Sequence, residues 1–103
     1  MLFKKKEYIT EENIKIPIYG KKISKELKVF YNPEMKLNRD ISLLVINSYF
    51  QKPIKFCDPM VATGIREIRL LKSISNKFSK IALGDISKTA IKNCKRNLKK
   101  NKI

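Results

Sequence analysis

Apolar and polar positions change period along the 103-residue chain, and each change marks an element. Over residues 7–19 the period is two. Tyr8-Ile9 and Ile14-Lys15-Ile16-Pro17-Ile18-Tyr19 read as two short strands joined by a polar Glu11-Glu12-Asn13 turn. Pro17 fits an edge strand, where a missing N–H leaves no ladder bond unmade. Gly20-Lys21-Lys22 reads as a turn, and Val29-Phe30-Tyr31 as a short apolar run broken by Asn32-Pro33. From about Arg39 to Phe50 the pattern becomes helical. Asn38 is placed to cap that helix, and Ile41, Leu44, Val45 and Tyr49 recur at three-and-four spacing.

The second half repeats a strand-then-helix pattern. Ile54-Lys55-Phe56-Cys57 predicts a strand ending at Asp58. The loop Pro59 to Gly64 leads into a helix over about Ile65 to Ser73, with Ile65, Ile68 and Leu70 or Leu71 inward. Lys80-Ile81-Ala82-Leu83-Gly84 predicts a second strand ending at Asp85. Ser87 caps a last helix, about Lys88 to Lys99, whose apolar face is Ala90, Ile91, Cys94 and Leu98. Strand, helix, strand, helix in this order is how a doubly wound parallel sheet begins. The predicted class is α/β: the start of a Rossmann-like fold (βαβα) preceded by a small β-hairpin and a helix. Residues 1–33 form the hairpin extension in this reading, and residues 34–103 a partial Rossmann-like domain.

Charge narrows the partners. Lys and Arg number 24 against 9 acids, a formal charge of +15, and residues 86–103 hold seven basic side chains and no acid. Such an excess points to a polyanion, with nucleic acid first and an anionic membrane surface second. A lysine-rich composition shared across a proteome is the plainer explanation of the same numbers. No apolar run is long enough to span a bilayer, and no strongly amphipathic basic helix with aromatic anchors is read, so no membrane association is expected. His is absent, and Cys57 and Cys94 stand far apart, which removes zinc fingers, disulfide scaffolds and mechanisms with a His base; no metal is expected. The expected setting is the reducing cytoplasm.

Candidate chemistry sits at the strand ends. Gly64 closes the first loop, and Asp85 follows it by 21 residues (85 − 64). An acid at about that distance past a glycine loop accepts hydrogen bonds from ribose hydroxyls in mononucleotide-binding βαβ units. The three-glycine cradle that a pyrophosphate needs is absent, which disfavours NAD and FAD. A nucleoside without phosphate fits better, and S-adenosyl-L-methionine is such a ligand. An ordinary strand-end Asp that caps the next helix remains the alternative for Asp85.

Three stretches share a resemblance. Phe30-Tyr31-Asn32-Pro33-Glu34-Met35-Lys36-Leu37-Asn38-Arg39-Asp40 resembles the signature of the tRNA (guanine-26,N2) dimethyltransferase family. Asp58-Pro59-Met60-Val61-Ala62-Thr63-Gly64-Ile65-Arg66-Glu67-Ile68-Arg69 is similar to that family's first methyltransferase motif. Asp85-Ile86-Ser87, then Ala90, then Lys95-Arg96-Asn97, resembles a third. The resemblance implies a class I methyltransferase fold, S-adenosyl-L-methionine as cofactor, and methylation of the exocyclic N2 of guanine 26 in tRNA. It implies by motif position that Arg39, Arg66 and Asp85 contact the cofactor, Arg69 being the less favoured choice. The chemistry agrees, since guanidinium pairs with the cofactor's carboxylate and a carboxylate accepts from its ribose diol.

The departures are specific. Pro59-Met60-Val61 stands where the family has Ala-Leu-Ser, Glu67 where it has Gly, and Gly84 where it has Asn. The Asp-Pro-Phe/Tyr catalytic motif has no counterpart, so no catalytic residue is assigned. Two parallel strands cannot be covered on both faces by their own helices. The chain is therefore expected to be an amino-terminal portion of a split or truncated enzyme that folds fully with a complementary chain. The competing expectations are a small basic RNA-binding or ribosome-associated protein without activity, and an adenosylmethionine-dependent enzyme acting on a small molecule.

Overall fold

The computed structural model describes residues 7–18 and 29–103. An antiparallel hairpin comes first, β1 (Glu7–Glu11) against β2 (Ile14–Ile18). Its turn is Glu12-Asn13 alone, both with positive φ (46° and 67°). A two-residue turn with both central residues left-handed has the twist that strands require. Glu11 therefore belongs to the strand, not to the turn that its polarity predicts, and alternation sends it inward beside Ile9. The turn predicted at Gly20-Lys21-Lys22 lies outside the described residues.

The helix begins earlier than its pattern predicts. The side chain of Asn32 accepts a hydrogen bond from the Glu34 amide (3.0 Å), Pro33 occupies the first position, and a 3-10 turn at Pro33–Met35 runs straight into α1 (Lys36–Tyr49). Pro at that position has the right φ and no N–H to leave unpaired. Asn38 is thus inside the helix rather than its cap, which leaves its side chain available elsewhere. The apolar stripe of α1 is real but faces outward: Ile41, Leu44, Val45 and Tyr49 are all exposed, Leu44 at 63% and Tyr49 at 75%. The buried residue of this helix is Arg39.

The second half follows the predicted order closely: β3 (Ile54–Asp58), α2 (Ile65–Ile74), a 3-10 turn at Ser75–Lys77, β4 (Phe78–Leu83) and α3 (Lys88–Lys100). The strands pair in parallel, Phe56 opposite Ile81 and Asp58 opposite Leu83, so both strand ends reach one edge. Phe56 and Phe78 meet edge to face at 5.6 Å between centroids on the half-buried side. Lys55, Cys57, Lys80 and Ala82 occupy the other side and are exposed. Ser87 caps α3 as expected, its hydroxyl accepting from the Ala90 amide (3.1 Å).

The core lies between the hairpin and α2. Ile9, Ile14, Ile16, Tyr31, Ile65 and Ile68 form one buried cluster, with Leu98 of α3 against it. Each such side chain contributes roughly 1.5–3 kcal/mol on leaving water, which makes the hairpin part of the scaffold that fixes α2. Among the described residues no helix is long and apolar enough to cross a membrane, and no cluster of His, Cys, Asp and Glu has the makings of a metal site.

Candidate functional site

The loop between β3 and α2 is held on every side. Asp58 accepts from the Met60 amide (2.9 Å) through its side chain and from the Gly84 amide (2.8 Å) through its carbonyl. The Val61 amide donates to the Gly84 carbonyl (3.0 Å). Asp85 closes the clamp: one carboxylate oxygen accepts from Ala62 N–H (3.0 Å), the other from Ser87 N–H (2.9 Å). From behind, the Asn97 amide of α3 donates to the Thr63 carbonyl (2.8 Å). Ala62 and Gly64 take positive φ, 48° and 79°. Gly64 faces Cys94, and a Cβ there would lie 2.7 Å from the Cys94 sulfur. The glycine is needed for both its φ and its lack of a side chain.

Beside this loop lies a groove of about 170 Å³. One wall runs from Phe30 to Arg39, and the other comprises Asp58, residues 60–63, Ile65 and Arg66. Two of the three predicted contact residues therefore line it. Asp85 is not one of the lining residues; it is half-buried beside the loop and bonds to it at the Ala62 amide.

The two arginines are in different states. Arg39 is buried and forked onto Glu11, with Nε 2.9 Å from one oxygen and a terminal nitrogen 2.5 Å from the other; it also donates to the Asn32 carbonyl (3.0 Å). The Tyr31 hydroxyl donates to the same carboxylate (2.6 Å), and Arg69 reaches both Glu11 (3.3 Å) and Asp40 (2.5 Å). Burial would raise the Glu11 carboxyl, but the hydrogen bonds from Arg39 and Tyr31 and the charges of Arg39 and Arg69 outweigh it and hold it below its ordinary value. Tyr31 is pushed up to about 12 by burial and by its bond to Glu11. The charge of Arg39 is thus spent inside the protein. Arg66 is held by neutral partners, the Ser42 hydroxyl (2.6 Å) and the Asn38 side-chain oxygen (2.7 Å), so its charge remains available at the groove.

Two site residues are not among those the sequence singled out for a role. Glu11 reads as turn polarity, although it falls on the inward phase of an alternating strand. Glu67 reads as a departure from a motif, yet it is fully buried, and its hydrogen-bonding neighbour is another acid, Asp58. Burial pushes its carboxyl up to about 9; the Asp58 carboxyl acts in the same direction and Arg66 only partly opposes it. At neutral pH it is a neutral acid beside Asp58, which lines the groove.

Comparison with known proteins bears on the whole described chain. A tRNA (guanine(26)-N(2))-dimethyltransferase of Methanosphaera stadtmanae is 39% identical over 102 residues, covering 93% of this chain and 26% of its own length. One from Methanococcus maripaludis is 41% identical over 86 residues (79% and 23%). A tRNA (guanine(26)-N(2)/guanine(27)-N(2))-dimethyltransferase of Aquifex aeolicus is 41% identical over 91 residues (85% and 23%). The chain therefore spans about a quarter of the length of these curated relatives, at their amino-terminal portion. The family model for N2,N2-dimethylguanosine tRNA methyltransferases matches residues 6–103, and on that match, with the clamped loop and its strand-end acids in place, the chain belongs to this family.

Proposed function

We propose that this chain supplies part of the cofactor site of an enzyme that methylates the exocyclic N2 of guanine 26 in tRNA, with S-adenosyl-L-methionine as methyl donor. The observation that carries the reading is the groove beside the clamped loop, with Arg66 on its wall and Asp85 fastening its floor. Among the described residues no carboxylate neutralises the Arg66 guanidinium, which suits the carboxylate of the cofactor's methionine end. Asp85 uses one lone pair of each oxygen on the Ala62 and Ser87 amides, and an ionised carboxylate has about four such sites. The remainder suits a ribose diol. Arg39 acts here by holding Tyr31 and Asn32 in the opposite wall. When bound, the cofactor supplies an electrophilic methyl group; these residues bind and orient it.

The groove is smaller than the roughly 300–1,000 Å³ of a complete small-molecule pocket. In this reading the rest of the site, including the groups that hold the guanine, belongs to the part of the relatives' length that the chain does not span. The open sheet face and the outward apolar stripe of α1 would be covered there. A tRNA substrate and the two free cysteines fit a cytoplasmic setting. An RNA-binding module without activity would account for the charge but gives no role to the groove.

Titration calorimetry of the chain with S-adenosyl-L-methionine tests this directly. Saturable 1:1 heat that Arg66→Ala diminishes supports the reading, and its absence overturns it. Methyl transfer to unmodified tRNA by this chain together with the remaining length of its relatives tests the activity.

A further inference from the structure

The surplus charge of the chain is sorted onto one face of α3. Lys88, Lys92, Lys95 and Lys99 follow at spacings of four, three and four, which on a helix is a single stripe, and all four are exposed. The opposite face fixes which way the stripe points. Cys94 is buried against Gly64, and the Asn97 amide is bonded to the Thr63 carbonyl (2.8 Å). The Asn101 amide donates to the Lys15 carbonyl (3.1 Å) and its oxygen accepts from the Lys15 amide (3.3 Å). Lys100 is turned aside onto Tyr8, its ammonium 4.9 Å from the ring centroid and 3.2 Å from the hydroxyl.

Among the described residues nothing neutralises the stripe. The chain has no acid after Asp85, and among the described residues none of the four lysines pairs with a carboxylate. Like charges four apart on a helix repel, so the arrangement costs stability unless a polyanion lies across it. The four span twelve residues, eleven rises of 1.5 Å or about 16 Å. Position gives the stripe a direction. Helix α3 starts at Lys88, three residues after Asp85, whose carboxylate fastens the groove loop, so Lys88 stands at the groove end and Lys99 at the far end.

We propose that this stripe is the track on which the tRNA phosphate backbone docks, with the strand running along α3 and approaching the groove at Lys88. The identity of the RNA rests on the methyltransferase reading above; the docking surface itself rests on α3. Phosphate contacts of this kind set register and orientation, and leave base choice to the groove. An anionic membrane is the poorer partner. A surface helix that binds a bilayer needs a free apolar face to insert, and that of α3 is occupied by Gly64, Thr63 and the hairpin.

The test compares two charge-matched variants of the full chain. One replaces Lys88, Lys92, Lys95 and Lys99 by Gln, and the other replaces the exposed Lys52, Lys55, Lys72 and Lys80. Affinity for an unmodified tRNA transcript is measured by fluorescence anisotropy over a salt series. Each phosphate left without its lysine lowers the log–log salt slope by about 0.9, so the α3 variant should lose about 3 to 4 from the slope and the other variant about 1 or less. Equal losses in the two variants, an unchanged α3 variant, or a wild-type chain that does not bind tRNA overturns the proposal. So does binding to phosphatidylserine vesicles that depends on the stripe while tRNA binding does not. Amine labelling of the wild-type chain with and without tRNA needs no variant: Lys92 and Lys95 should be protected, and Lys52 and Lys55 not. Calorimetry with S-adenosyl-L-methionine separates the two readings. Loss of the stripe should leave it unchanged, and a wild type that binds tRNA through the stripe but not the cofactor would sink the methyltransferase reading alone.

Discussion

Glu11 of the hairpin and Arg39 of α1, 28 residues apart, share a forked ion pair that is almost fully withdrawn from water. Tyr31 and Arg69 bond to the same carboxylate, so four segments of the chain meet on one side chain. Such a pair is weak evidence of net stabilisation, because two desolvation penalties offset the attraction. Removing one member is another matter, since the other is left buried and unpaired.

Glu11→Ala should therefore destabilise the chain by about 3–5 kcal/mol, enough to unfold a domain of ordinary stability. Tyr31→Phe should cost about 1.5–3 kcal/mol, the range for a hydrogen bond to a charged group. The Glu11 carboxyl is held below its ordinary value, so the stability it contributes is present above the unfolded carboxylate range and lost as pH falls through its lowered value. Urea unfolding of wild type and Glu11→Gln from neutral to acid pH checks this. Wild type should lose its advantage on acidification, and parallel curves would refute the assignment.

Gly64 and Cys94 make a second close pair, and a Cβ on residue 64 would sit 2.7 Å from the sulfur. Gly64→Ala meets two penalties, positive φ and overpacking, that together amount to about 2–4 kcal/mol. Pairing it with Cys94→Ala removes the second and leaves the first. A double-mutant cycle should return a coupling of about 1–2 kcal/mol, and additivity would show that backbone conformation alone makes the glycine necessary.

Much of the fold is legible in the sequence because local periodicity decides it. The strands ending at Asp58 and Asp85 and the helices after them come within a few residues of their predicted bounds, since Ser87 and the Gly64 turn are local signals. Helix α1 is less so: its start depends on Asn32 and Pro33, six and five residues before Asn38, the cap that its apolar pattern predicts. Its apolar stripe has the right spacing but no cover among the described residues, and spacing says nothing of what lies opposite. Arg39 and Arg66 look alike as letters. Their difference is written in Glu11, Ser42 and Asn38, partners 24 to 28 residues away, and no periodicity reports such contacts.

That difference separates the arginines by experiment. Arg66→Ala should weaken S-adenosyl-L-methionine binding about 10- to 100-fold, the equivalent of one charge-assisted hydrogen bond, with little loss of stability because its partners are neutral. Arg66→Lys keeps the charge without the planar fork and should recover part of the affinity. Arg39→Ala should instead unfold the chain. Asp85→Asn retains one acceptor and loses the other, so either the Ala62 or the Ser87 amide is left unpaired; binding should weaken and amide exchange in residues 60–63 should quicken. An Arg66→Ala chain with wild-type affinity in calorimetry would remove Arg66 from the site.

Glu67 gives the most distinctive pH signature. Its carboxyl stands at about 9 in the folded chain because it is buried, with the Asp58 carboxyl pushing the same way, and near its ordinary 4.5 when unfolded. Folding therefore takes up a proton between those values, and stability falls as pH rises through the window. At pH 7 the gap of 2.5 units corresponds to about 3 kcal/mol. Glu67→Gln has no proton to take up. Its amide can donate to the Asp58 carboxylate as the protonated acid does, so the comparison rests on the slope with pH and not on the offset. Relative to wild type, Glu67→Gln should gain stability steadily from about pH 5 to pH 9 and gain no more above it. The Cys94 thiol, raised to about 11 by burial, stays protonated throughout and does not confuse the measurement. If the two unfolding curves run parallel across that range, Glu67 is ionised in the fold and must have found a partner.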